Sequence, residues 1–247
     1  MIRRRTFAAP VRTGVRWLCR LVLRTLGVHS RMQGALPPGG ALLLANHLGW
    51  VDILAMLAHA DCTFVAKREV AGWPVVGWLA RRMGVVFVDR ARKRDLLCAI
   101  PAMTDALARG QRILLFPEGT TGDGRTLLPF KSALVEAAVR ARVPVVPIAI
   151  SASAADMDAR ALCWIGTETL AQNLPRLRAL TSAAVTLRAG TAVPPGACRK
   201  MLTHRARLAI LALVNWPAVR GYARCVRVPA GIHTPEGVAT GSVMMPR

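Results

Sequence analysis

A histidine and an aspartate with four residues between them, His47 and Asp52, stand in ANHLGWVDILAML, Ala45 to Leu57, a stretch otherwise almost wholly apolar. Such a pair can move a proton. A carboxylate bonded to one ring nitrogen fixes the imidazole tautomer and leaves the other nitrogen to accept, and the nucleophile can then be a hydroxyl of the substrate itself. The spacing sets a condition. In one continuous helix a five-residue offset turns through about 140°, which points the two side chains apart, so they meet only if His47 precedes the helix. Gly49 supplies a permissive joint, and Asp52 then falls in the first turn, where the helix dipole favours a carboxylate. A helix-capping histidine with a first-turn acid fits the same residues, so the pair alone leaves both readings open.

A second candidate is LLFPEGTTGDG, Leu114 to Gly124. A strand ends at Pro117, and Glu118, Gly119 and Thr120 open a loop in which Gly122 and Gly124 let backbone amides approach a ligand closely. A plain surface turn has the same composition. Arg90, closing VVFVDR, and Lys131, near the start of a helix, are placed to receive an anionic group. For Arg90 a salt bridge to Asp89 is the alternative use.

Strand ends need strands. The short apolar runs ALLLAN, CTFVAK, VVFVDR, RILLFP and VPVVPIAI read as buried strands, and helical patterns lie between them at 50–59, 74–83, 93–109 and 131–142. This alternation predicts an α/β fold: a single domain with a central, mostly parallel or mixed sheet covered by helices, with chemistry at the strand ends. Arg199 to Trp216 adds an amphipathic helix, and residues 217–247 read as a poorly ordered tail. His204 and His233 are expected in solvent.

At the other end, arginines recur every four residues from Arg12 to Arg24 among Val15, Trp17, Leu18, Leu21, Val22 and Leu26. A helix there is amphipathic and membrane-associated, lying in the interface rather than crossing it; packing on the protein's own core is the alternative. Residues 1–35 are assigned to this segment and 36–216 to the catalytic domain. Trp73, Trp78, Arg81 and Arg82 repeat the pattern of an interfacial anchor. No apolar run reaches the length of an export signal.

Composition narrows the partners. Apolar residues make up 53% of the 247 while the net charge is +21, which excludes disorder and points to an anionic neighbour. The excess is 30 Arg against 4 Lys, spread along the chain, with Tyr222 the single tyrosine. A nucleic-acid binder gathers its charge and interleaves aromatics, so no nucleic acid is expected; an anionic membrane attracts each nearby charge by about 1 kcal/mol. The six cysteines form no CxxC pair and no metal spacing, so no metal is expected. No GxSxG elbow marks a lipase or thioesterase.

At this point the sequence resembles the glycerolipid acyltransferases of the lysophosphatidic acid acyltransferase type. Four blocks of that family stand in order: NHLGWVD matches its NHxxxxD block, GVVFVDR (Gly84 to Arg90) the second, FPEGT the third and VPVVPI (Val143 to Ile148) the fourth. LLPFKSALVEAA also resembles the family's continuation after the third block, and the likeness covers roughly residues 40–190. The resemblance implies that His47 is the general base and Asp52 orients it, with Asn46 among the substrate-binding residues. Gly84 and Arg90 would help form the acceptor site, Glu118, Gly119 and Thr120 would hold the acceptor's polar part, and Pro144 and Pro147 would shape the acyl side. It further implies a lysolipid acceptor, acyl-CoA or acyl carrier protein thioester as donor, no required cofactor, and a place among membrane lipids at the cytoplasmic face of the inner cell membrane. One departure stands out. Members that accept a phosphorylated glycerol usually carry a basic residue after EGT, whereas this chain has Thr121, Gly122 and Asp123. A lyso-aminolipid such as lyso-ornithine lipid is the alternative acceptor, and Arg125 could compensate from across the loop.

Overall fold

The computed structural model describes residues 9–74, 76–89, 92–154, 162–164, 166, 168–180 and 182–214. Helix α1 (Ala9–Thr25) leads into β1 (Val28–Gln33), β2 (Ala41–Ala45), α2 (Trp50–His59), β3 (Thr63–Lys67), α3 (Val76–Arg82), β4 (Val86–Val88) and α4 (Lys93–Ala108). Then come β5 (Arg112–Leu115), α5 (Glu136–Ala141), β6 (Val145–Ala154), α6 (Leu170–Arg178), β7 (Ala183–Ala189) and α7 (Arg199–Leu213).

The strands form one seven-stranded sheet in the order β1-β7-β6-β2-β5-β3-β4. Only the β6–β7 pairing is antiparallel among these, so the sheet is mixed. β2, ALLLA, is buried at every position, as expected of a central strand covered on both faces. Its side chains alternate between two cores. Leu43 and Ala45 join residues of α1, α2, α3 and α6, including Leu23, Met56, Ala80 and Leu177. Leu42 and Leu44 join residues of α4, α5 and α7, including Met103, Ala138 and Leu202. Because β2, β5, β3 and β4 run in one direction, the chain leaving each of them arrives at the same edge of the sheet.

Three elements go beyond what the apolar runs predict: β1, β7 and α6. β1, VHSRMQ, alternates buried and exposed residues, and its three polar or charged outward positions hide it among loops. α1 ends at Thr25, just short of Leu26 in the expected pattern, and Gly27, at φ 70°, turns the chain into β1. The sheet thus draws on residues from both sides of position 35, and the expected boundary there does not divide it. The helix expected from 131 begins with a 3₁₀ turn at Ala133–Val135 before α5. The tail assigned to 217–247 lies outside the described residues.

Candidate active site

At the end of β2 the backbone leaves the sheet, and its polar groups must find partners elsewhere. Asn46, 1% exposed, replaces a strand residue with its side chain: Nδ2 donates to the Ile150 carbonyl at 2.9 Å and Oδ1 accepts from the Ile150 N–H at 2.7 Å. The His47 N–H donates to Glu118 Oε1 at 3.0 Å, and the His47 carbonyl accepts from the Gly122 N–H at 2.7 Å. The Leu48 and Gly49 N–H groups donate to Asp52 Oδ2 at 2.6 and 2.9 Å. The Leu48 carbonyl accepts from the Trp164 N–H at 2.7 Å. Gly49 sits in close packing: a Cβ there would stand 3.1 Å from the Leu162 carbonyl oxygen, which would have to shift by a few tenths of an ångström. Its extended backbone starts α2 with Asp52 in the first turn, where the dipole stabilises a carboxylate.

The same Asp52 oxygen lies 2.9 Å from His47 Nδ1. The pair therefore meets in the way its spacing demands, with His47 ahead of the helix. Asp52 is 2% and His47 13% exposed, so the ring keeps a small edge in solvent while the carboxylate is enclosed. The imidazole also stacks on Phe116, with centroids 3.8 Å apart and planes inclined by 15°. With Nδ1–H donated to Asp52, Nε2 is left as the acceptor, at the strand edge.

Glu118 follows β5, the neighbour of β2, and is 4% exposed. Its carboxylate points inward, with Oε2 accepting from the Leu128 N–H at 3.4 Å. Burial pushes its pKa up to about 7, opposed by the bonds from His47 and Leu128 and reinforced by the charge of Asp52. Gly119 takes φ 77°, and a Cβ there would come within 2.9 Å of Lys131 Nζ. The exposed Lys131 thus lies over the EGT turn, its own N–H bonded to the Pro117 carbonyl at 2.8 Å. Thr120 is exposed beside it. Asp123 Oδ1 accepts from the Arg125 and Thr126 N–H groups at 2.9 and 3.3 Å, which shapes the turn.

The structure thus gathers His47, Asp52, Asn46, Glu118, Gly119, Thr120 and Lys131 at the ends of β2 and β5. Gly84 and Pro144 do not join them. Each precedes its strand, so each lies toward the opposite edge; the Pro144 carbonyl accepts from Leu42, near the start of β2. Pro147 is buried within β6 opposite Leu44, and its missing N–H falls opposite Gly190, one residue past the end of β7. Arg90 lies outside the described residues. Lys67, the last residue of β3, and Arg68, the first of the 3₁₀ turn that follows, were absent from the residues singled out by sequence; they lie on the His47 edge, two strands or about 10 Å from β2, and pair with Glu69 at 3.1 Å and Asp95 at 2.8 Å. Their signal was two cations immediately after an apolar run. Phe116 carried none, since an aromatic ending a buried strand reads as core. Among the described residues no three or more His, Cys, Asp or Glu assemble into a metal-ligand set.

Comparison with known proteins gives the same direction. Residues 27–151 match the family model described as Acyltransferase. The chain is 42% identical over 135 residues to the 1-acyl-sn-glycerol-3-phosphate acyltransferase of Neisseria meningitidis serogroup B, covering 54% of this chain and 53% of that protein. It is 37% identical over 161 residues to the lyso-ornithine lipid O-acyltransferase of Pseudomonas aeruginosa, covering 65% and 62%. The matches therefore span between half and two thirds of these relatives' lengths. The crystal structure of the 1-acyl-sn-glycerophosphate acyltransferase PlsC from Thermotoga maritima shares the fold, with a TM-score of 0.62 at 24% identity over 82% of this chain and 79% of that one.

Proposed function

The chain belongs to the acyltransferase family, and on that premise we propose that it moves a fatty acyl group from a thioester to the free hydroxyl of a lysolipid. The observation that carries this reading is the 2.9 Å contact of His47 Nδ1 with the buried Asp52, which leaves Nε2 as an acceptor at the strand edge. Nε2 takes the proton of the acceptor hydroxyl as its oxygen attacks the thioester carbonyl. The tetrahedral intermediate collapses, the C–S bond breaks, and the imidazolium returns the proton to the departing thiolate. No acyl-enzyme is needed. Acyl-CoA and acyl carrier protein both supply such a thioester, and no further cofactor enters the steps.

Lysophosphatidic acid is the favoured acceptor, giving phosphatidic acid for phospholipid synthesis. Lys131 over Gly119 offers a cation to its phosphate, with Arg90 as the expected second. A specific feature supports lyso-ornithine lipid as the second reading: Thr121 stands just after EGT, where phosphate-accepting members usually carry a base, and the acidic Asp123 follows two residues on. The deciding measurement is kcat/KM for both acceptors, with both donors, in the parent, Arg90→Gln and Asp123→Asn. Under the phosphate reading Arg90→Gln selectively destroys lysophosphatidate use; under the aminolipid reading Asp123→Asn damages the better substrate. If neither change moves the ratio, this placement of the head group fails.

The lipid substrate implies a membrane surface, and we place the protein at the cytoplasmic face of the cell membrane, where thioester donors are made. Among the described residues no helix is long and apolar enough to cross. Instead α1 leaves Trp17, Leu18 and Leu21 exposed by 62, 49 and 59%, beside a shallow depression of 620 Å³ lined also by Val28 and Arg24. Trp73, Val76 and Trp78 are exposed by 46, 49 and 54%, and the Arg82 guanidinium lies 4.9 Å from the Trp78 ring. α1 and α3 contribute to the core on the same face of the sheet, which lets both Trp-and-Arg groups address one bilayer.

A further inference from the structure

Glu118 is a buried carboxylate for which the proton-transfer steps have no use. Taking such a group out of water is costly unless hydrogen bonds repay it, and here both oxygens are committed to backbone: Oε1 to the His47 N–H at 3.0 Å and Oε2 to the Leu128 N–H at 3.4 Å. The position explains the need. The β2–β5 ladder ends at the pair Leu44 and Leu115, so three residues later the His47 N–H has no strand to donate to. Glu118, leaving the adjacent strand, supplies the acceptor that the ladder no longer provides. From the same turn, the Gly122 N–H takes the His47 carbonyl at 2.7 Å. The turn that begins with Glu118 thus grips both backbone polar groups of His47, while Asp52 and Phe116 fix only the ring.

We propose that Glu118 is a positioning residue, a carboxylate clamp on the His47 backbone that sets where Nε2 stands, and not a ligand of the acceptor's polar group. This rests on the reading of His47 as the base. The clamp accounts for burial to 4% exposure, which a group that bound a lipid head directly would have no reason to adopt. It also assigns a division of labour: Asp52 sets the tautomer and angle of the ring, and Glu118 sets the origin from which the ring projects. A displacement of about 1 Å in a reacting group costs on the order of 10²-fold in rate, so a residue that touches no substrate can still control turnover.

Glutamine is the informative replacement because it keeps the size of the side chain. Its carbonyl oxygen can serve one backbone donor, but its amide nitrogen meets the other N–H as a second donor. Two readouts on full-length Glu118→Gln and Glu118→Ala test the clamp. In steady-state kinetics kcat is expected to fall by about 10²-fold, with acceptor KM held within about threefold. In amide hydrogen exchange the His47 and Leu128 N–H groups are expected to be protected in the parent, both to lose protection in Glu118→Ala and at least one to lose it in Glu118→Gln, while the Leu48 and Gly49 amides, bonded to Asp52, stay protected. The exchange readout needs no substrate, so a parent that transfers no acyl group would sink the acyltransferase reading and still leave the clamp decided. If the alanine variant fails to fold, the glutamine variant carries the test. A raised acceptor KM at unchanged kcat, or His47 and Leu128 amides both as well protected in Glu118→Gln as in the parent, overturns the proposal.

Discussion

Two regions of this molecule treat their chemistry in opposite ways. At the ends of β2 and β5 polar groups are buried and committed: Asn46, Asp52 and Glu118 are 1, 2 and 4% exposed, and each is hydrogen-bonded to backbone. On the outer side of α1, and between β3 and β4, large apolar groups are left in the open, with Trp17, Trp73 and Trp78 about half exposed or more. Buried polar groups cost free energy and are tolerated where they fix a geometry; exposed apolar groups are tolerated where a partner covers them. The first region is built to hold a side chain still, the second to meet a surface.

The largest expected effect breaks the first region. Asp52→Asn loses the charge that orients His47 and offers a donor where Asp52 only accepted, so turnover should fall by about 10²- to 10⁴-fold, measured as initial rate with saturating acceptor and donor. Asn46→Ala acts on stability. It strands the Ile150 N–H and carbonyl in a buried strand, at about 1–3 kcal/mol for each unpaired group, and the denaturant midpoint should drop accordingly. An unchanged midpoint would mean that another group replaces the amide bracket.

The second region should respond to apolar loss more than to charge loss. Trp17, Leu18 and Leu21 replaced together by serine should weaken binding to anionic vesicles at high salt by at least about tenfold, or roughly 1.4 kcal/mol, while Arg16→Gln with Arg24→Gln costs less because salt already screens charge. Arg20 is kept, since its Nε donates to the Ala58 carbonyl at 3.0 Å and fastens α1 to α2. A serine variant that sediments with lipid as well as the parent would remove α1 from the membrane surface.

The smallest effect is a pH slope. Glu118 has a pKa raised from 4.5 to about 7 by burial, so between those values the folded state holds a proton that the unfolded chain gives up. Stability from this group is therefore full below pH 4.5 and is lost as pH rises through about 7. Thermal unfolding across that window should show the decline in the parent and a flatter profile in Glu118→Gln. Equal slopes would place the titration elsewhere.

Much of this contrast was legible in the sequence, unevenly. The His47–Asp52 contact followed from spacing and helix geometry, because both partners lie within one strand-to-helix joint. β2 to β6 were legible as apolar runs because a strand covered on both faces needs such runs. β1 was not, since Ser30 breaks the inward side of its six-residue alternation and leaves only Val28 and Met32 as apolar signals among polar residues. Long-range partners left no local trace. Asn46 meets Ile150 across 104 positions and Glu118 meets His47 across 71, so the motif named these residues as ligands while the structure shows them bonded to backbone. On α1 the packing reading is met by one side, with Cys19 and Leu23 in the core, while Trp17, Leu18 and Leu21 face outward.

The central claim is that His47 Nε2 takes the acceptor's proton. It is tested most directly by acyl transfer from a radiolabelled thioester to lysophosphatidic acid and lyso-ornithine lipid, using purified His47→Ala beside the parent. Circular dichroism and vesicle binding serve as checks that the variant is folded and docked. The account predicts a loss of about 10²- to 10⁴-fold in turnover with fold and vesicle binding intact. A folded, membrane-bound His47→Ala protein that transfers acyl groups at the parent rate would contradict it.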